Sequence, residues 1–172
     1  VRMSVVEGET VDQAIRRIRG TKRLNYQDGI VMGQTRRSAE ALARTAINHV
    51  VTTAREKTLQ DNSDVVTGLQ WRSTLDGATS EICRARDGKV YPLDSGPRPP
   101  AHPNCRSSIV PVLKSWKALG LNFKELEPGT RASMNGQVPE AETYQTWLKR
   151  QPVAFQNEVL GDTKAQLFRK GG

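Results

Sequence analysis

Apolar residues recur along the first third of the chain with the period of a helix. Val11, Ala14, Ile15 and Ile18 stand at i, i+3, i+4 and i+7, which predicts one buried helix face. Thr10 and Gln13 have the spacing of a capping box at its start, and Gly20 stands where it would stop. Asp28-Gly29 marks a turn. Ala39, Leu42, Ala43, Ala46, Ile47, Val50, Val51 and Ala54 then predict a second helix, from about Thr35 to about Leu59, with a continuous apolar stripe. The small residues on that stripe would let another element approach closely.

The pattern changes after residue 62. Val65 to Thr74 reads as a strand, with Val66, Leu69 and Trp71 among its apolar positions. Thr79 or Ser80 is placed to cap a short helix that Asp87-Gly88 ends. Lys89 to Leu93 predicts a brief strand. Pro97, Pro99, Pro100 and Pro103 keep the next stretch irregular. Ile109, Val110 and Val112 predict a closing strand near a sheet edge, because Pro111 interrupts it. Gly129 to Pro139 reads as a polar connector, followed by short helices over about Glu140–Arg150 and Val153–Leu160 and a last basic turn, Thr163 to Lys170. Tyr144, Trp147 and Leu148 share a face of the first of these helices.

The fold class expected is α+β: N-terminal helices packed on a small antiparallel β-containing core, with a loosely structured helical C-terminal tail. The expected organisation is an N-terminal helical arm over residues 1–34, a core over 35–113 and a C-terminal extension over 114–172.

Composition adds a bias toward anionic partners. The 172 residues include 26 Lys and Arg against 18 Asp and Glu, a formal net charge of +8. Such a balance favours nucleic acid, an acidic protein face or a membrane surface. Aromatics make up only 5% of the chain, too few and too scattered to predict base stacking. No apolar run approaches the roughly 20 residues that span a bilayer, so no membrane partner is expected. The chain opens on Val1 and shows no signal pattern, which suggests a trimmed or partial piece of a longer product made in a reducing cytoplasm.

The chemistry-bearing residues concentrate between Trp71 and Val112. Both cysteines, Cys83 and Cys105, lie there with one of the two histidines, His102. Two thiolates and an imidazole suit Zn²⁺, for which four ligands make a closed structural site. Asp76 is the candidate for a fourth ligand, and Asp87 a weaker one. Two other readings stay open: the cysteines are small buried hydrophobes, or they pair as a disulfide.

The order of these motifs carries a resemblance. Thr74-x-Asp76, Cys83 followed by Asp87-Gly88, and then Pro99-Pro100-x-His102-Pro103-x-Cys105-Arg106 resemble the phage Mu F-like minor head proteins, also called head morphogenesis proteins. The resemblance is closest over about residues 40–113 and continues less distinctively through Trp147 to Pro152 and Phe155 to the Leu167-Phe168-Arg169 end; the first 30 residues carry little of it. Ser80 and Ser107 stand at two positions where family members often have cysteine, a departure from the family's fullest ligand set. The resemblance implies a low-copy minor capsid protein inside the phage or prophage capsid near the portal vertex. It implies a role in procapsid assembly and in DNA packaging or ejection, with the portal protein and the major capsid protein as partners. Some members are thought to contact packaged DNA.

Arg16, Arg17, Arg19, Lys22 and Arg23 form a positive run, and Lys149-Arg150 a smaller cluster. Each is a candidate for non-specific contact with double-stranded DNA, against the plainer reading of a solvated or salt-bridged surface. A non-specific DNA-binding internal or ejection protein is therefore one alternative function. A metal-dependent hydrolase built on Asp76, Glu81 and His102 is another. The expectation is that the protein is not an enzyme, since the chain has no Gly-rich phosphate loop, nucleophile elbow or HExxH.

Overall fold

The computed structural model describes residues 6–31 and 35–171. Parts of the expected N-terminal arm, residues 1–5 and 32–34, lie outside the described residues, as does Gly172. Helices and small antiparallel sheets coexist, so the fold class is α+β, with helical C-terminal elements. Packing divides the chain into two compact units that interleave along the sequence: residues 1–62 with 97–109, and residues 63–96 with 110–172. The zones 1–34, 35–113 and 114–172 are segments of sequence, whereas these units are defined by packing.

In the first unit, α1 (Val11–Arg19) begins at the expected capping box, with the Thr10 side chain accepting from the Gln13 amide and the Gln13 side chain accepting from the Thr10 amide. Ala14, Ile15 and Ile18 are buried against Ala39 and Ala43 of α2 (Arg36–Asp61). Two alanines with no measurable exposure let the helix backbones come close. The rest of the expected stripe differs. Leu42 and Val51 are 48% and 41% exposed, and Ala54 is exposed as well. The middle of α2 instead uses polar side chains to hold the proline-rich segment. The Asn48 amide donates to the carbonyls of Cys105 (2.7 Å) and Ser107 (3.2 Å). The Thr45 hydroxyl accepts from the Asn104 amide at 3.0 Å, Arg55 donates to the Ile109 carbonyl at 3.1 Å, and Glu56 pairs with Arg98 at 2.7 Å. An irregular segment leaves its backbone groups without ladder partners, and these side chains supply them.

In the second unit, which the chain re-enters at Val110, three strands pair in the order β2-β1-β3: β1 is Val66–Arg72, β2 Val90–Tyr91 and β3 Ser108–Leu113. β1 and β2 are antiparallel with Leu69 opposite Tyr91. β3 is an edge strand, the place where Pro111 is tolerated. α3 (Glu81–Arg86) lies between β1 and β2 in sequence and ends at Asp87-Gly88, with Gly88 at φ 79°. Ser80 occupies its N-cap position without a side-chain capping bond, while the Thr79 hydroxyl donates to the Thr74 carbonyl at 2.6 Å.

The segment expected to be a connector is a hairpin: β4 (Thr130–Ser133) pairs with β5 (Gly136–Pro139), with Ser133 opposite Gly136. Met134-Asn135 is the two-residue turn between them, and Gly136 follows it at φ 109°. α4 (Tyr144–Lys149), α5 (Val153–Leu160) and α6 (Asp162–Arg169) follow. Tyr144, Trp147 and Leu148 are buried with Leu75, and Val138, Phe155, Val159, Leu160 and Phe168 pack around them. The last basic turn is thus a full helix, and the hairpin and helices share one apolar cluster.

Candidate functional site

Cys83 sits in the middle of α3 and is 2% exposed; Cys105 is 3% exposed, and neither is disulfide-bonded in the structure. His102 and Cys105 belong to one turn, which closes when the Cys105 amide donates to the His102 carbonyl at 3.1 Å. Asn104 takes a left-handed conformation inside it, φ 58°, a role suited to asparagine. The ligand atoms of His102 and Cys105 lie within 4.8 Å of one another. His102 Nδ1 stands 2.8 Å from the Pro103 carbonyl oxygen. An Nδ1–H donated there puts the acceptor lone pair on Nε2, the tautomer found in metal-ligating imidazoles. His102 and Cys105 thus offer an imidazole and a thiol side by side, donor chemistry that suits a metal ion, while the buried thiol of Cys83 belongs to the second unit.

The expected fourth ligands are engaged otherwise. Asp76 Oδ1 accepts from the Ala78 amide at 3.1 Å and lies 3.0 Å from the Thr79 hydroxyl oxygen. Asp87, with a side chain 0% exposed, accepts from the amides of Ser73 and Tyr144, each at 2.6 Å, and from both terminal nitrogens of Arg131 at 3.0 and 3.1 Å. It is a structural anchor. Glu81, a member of the imagined hydrolase set, is exposed and pairs with Lys164 at 2.9 Å; that hydrogen bond and the ammonium charge hold its carboxyl below the usual range. Ser107, at one of the two departures from the family pattern, is 3% exposed.

The basic run resolves into parts with different roles. Arg17 is committed to Glu7 and Glu9, two acids that lie outside the run in sequence. Arg19 lies over the Tyr26 ring, 4.0 Å from its centroid. Arg16, Arg19, Lys22, Arg23 and Tyr26 line one open groove with Gly20, Thr21 and Asp28. Asp28 accepts from the Thr21 amide (2.7 Å) and hydroxyl (2.9 Å), and the amide bond first of all holds its carboxyl below the usual carboxylate range. The second cluster is tied down: Arg150 pairs with Glu142, and Lys149 lies 5.7 Å above the Phe168 ring.

The family described as "Phage Mu protein F like protein" matches residues 1–110. The chain belongs to the phage Mu protein F like family. Membership marks it as a phage head morphogenesis protein and a virion component. No curated protein and no solved structure matches the chain. The Mu F-like span contains Cys83, His102, Cys105 and the basic run, and it reaches back over the first 30 residues, where the motifs alone carry little resemblance. Arg131, Lys149 and Arg150 lie beyond it. No helix among the described residues is long and apolar enough to cross a membrane.

Proposed function

We propose that this chain is a low-copy, non-enzymatic structural protein of the phage head, lying inside the capsid near the portal vertex. It acts during procapsid assembly and DNA packaging or ejection, with the portal and major capsid proteins as partners. The family match over residues 1–110 carries this reading. The test is made in the phage or prophage that encodes the chain. Quantitative mass spectrometry of purified virions should find it at a small fraction of the major capsid protein, and a null mutant should fail to make infectious, DNA-filled heads. Absence from virions, or a copy number matching the major capsid protein, would sink the proposal.

Zinc is the ion we assign to Cys83, His102 and Cys105 as its ligands, on the chemistry of these donors. Two buried thiols and an imidazole whose other nitrogen faces a carbonyl fit a borderline-soft cation. Elemental analysis of the purified full chain is expected to give about one zinc per chain, lost in Cys105→Ser. A metal-free wild-type protein with an unchanged melt would rule the assignment out.

The non-specific DNA-binding reading is favoured by a different observation, the cation-lined groove beside α1. The two readings are compatible, since a head protein inside a filled capsid faces double-stranded DNA.

A further inference from the structure

We infer that the end of α1 and the loop from Gly20 to Val31 form a built phosphate-backbone site for double-stranded DNA, with Arg16, Arg19, Lys22 and Arg23 as its cations. The inference rests on the reading that the protein meets packaged DNA, and it gives that contact an address. The loop is held by its own backbone. Tyr26 donates to the Thr21 carbonyl at 2.9 Å, Ile30 to Arg17 at 3.1 Å and Val31 to Ile18 at 3.0 Å. The Thr21–Asp28 pair of bonds ties its two arms together. Asn25 and Tyr26 both sit at positive φ, 51° and 60°. Two successive non-glycine residues in the left-handed region are costly, and such conformations cluster where function demands them.

The groove this loop closes has a volume of about 480 Å³, with four cations facing a single carboxylate, Asp28. Asp28 keeps its charge while it holds Thr21, and the four cations outnumber it, so the lining is cationic on balance. Cations in the last turn of a helix also complement its dipole, which accounts for Arg16 and Arg19 without any ligand. It does not account for Lys22 and Arg23, which lie past the helix end, in the 3₁₀ turn Lys22–Leu24, and are exposed. Arg17 belongs to the run in sequence but not to the site, since Glu7 and Glu9 hold it. Tyr26 carries Arg19 against one ring face, which takes that face out of use for base stacking. Contact should therefore be to phosphates and blind to sequence.

The experiment is fluorescence anisotropy of the full chain with a labelled mixed-sequence 20-bp duplex across a potassium chloride series. Each phosphate contact contributes about 0.9 to the slope of log affinity against log salt. Lys22→Ala/Arg23→Ala is expected to lower that slope by about 2 and weaken binding roughly tenfold at moderate salt. Lys149→Ala/Arg150→Ala should leave both unchanged. Hydrogen exchange at Ile30 and Val31 confirms that the loop survives in the first variant. Equal slopes for wild type and the Lys22/Arg23 variant would overturn the inference. So would a sequence-dependent preference among duplexes, or a variant that loses binding to phosphatidylserine vesicles while keeping its DNA affinity. Incorporation into virions is scored separately: wild-type protein missing from virions defeats the head reading and leaves the binding measurement standing.

Discussion

Asp87→Ala is expected to destabilise the second unit by about 3–5 kcal/mol, the usual result of removing one partner from a buried ion pair. The carboxylate has no solvent to fall back on: its side chain is 0% exposed, and Arg131 opposite is 10% exposed. Three separate pieces of chain converge on it. Ser73 follows β1, Tyr144 opens α4, and Arg131 stands in the hairpin strand β4. Arg131 also donates to the carbonyls of Glu142 (2.8 Å) and Ser73. Without Asp87 the guanidinium is left buried and uncompensated, and two buried amides lose their acceptor. Trp71, Trp116 and Trp147, the three tryptophans of the chain, all belong to this unit, so their fluorescence during urea unfolding reports it directly. Arg131→Ala should cost a similar amount, and the double variant much less than the sum, because the two residues act as one group. A denaturation midpoint for Asp87→Ala equal to that of the wild type would refute the anchor.

This anchor also shows where sequence reading stops. Asp87-Gly88 is legible as a helix stop because the signal is local. Its partner Arg131 is 44 residues away in a segment that reads as connector. The hairpin there did carry a signal, Asn135-Gly136, but its strands are four residues each, largely polar, and end on Pro139, so no apolar alternation supports them. The capping box and the buried face of α1 were legible for the same reason as the helix stop: every partner is within one turn. The stripe on α2 was legible only in part. Apolar periodicity marks Ala39 and Ala43 correctly, yet Asn48, Thr45 and Arg55 set the packing of the proline segment through polar contacts that periodicity does not weigh. Donor types alone single out Cys83, His102 and Cys105. Asp76 was plausible by position, but its carboxylate has partners two and three residues on. Arg17 shows the same limit for charge, since a positive run in sequence says nothing of acids eight and ten residues before it.

Gly29→Ala is expected to open the loop that closes the cationic groove, at a cost of roughly 3 kcal/mol from overpacking and lost hydrogen bonds. A Cβ at Gly29 would lie 2.4 Å from the carbonyl carbon of Arg19, 2.5 Å from its oxygen and 2.6 Å from the Gly20 amide nitrogen. These are backbone atoms and cannot rotate away. The loop and the end of α1 would have to separate, which breaks the bonds from Ile30 to the Arg17 carbonyl and from Val31 to the Ile18 carbonyl. Both carbonyls stand in the last turn of α1, where a helix has no acceptor-satisfying amides of its own. The first unit contains no tryptophan, so the measurement is amide hydrogen exchange at Ile30 and Val31 together with a circular dichroism melt. Loss of protection at those two amides is the expected result. Gly8→Ala separates the causes: Gly8 has φ 68° but nothing within 4 Å of an added Cβ, so it should cost only the backbone strain, about 1–2 kcal/mol, and leave Ile30 and Val31 protected. If Gly29→Ala keeps both amides protected, the close approach of loop and helix is wrong, and the rigid presentation of Lys22 and Arg23 falls with it. If protection is lost, the affinity of the same variant for duplex DNA should drop although every cation is still present, because the cations would then have to be ordered at the moment of binding.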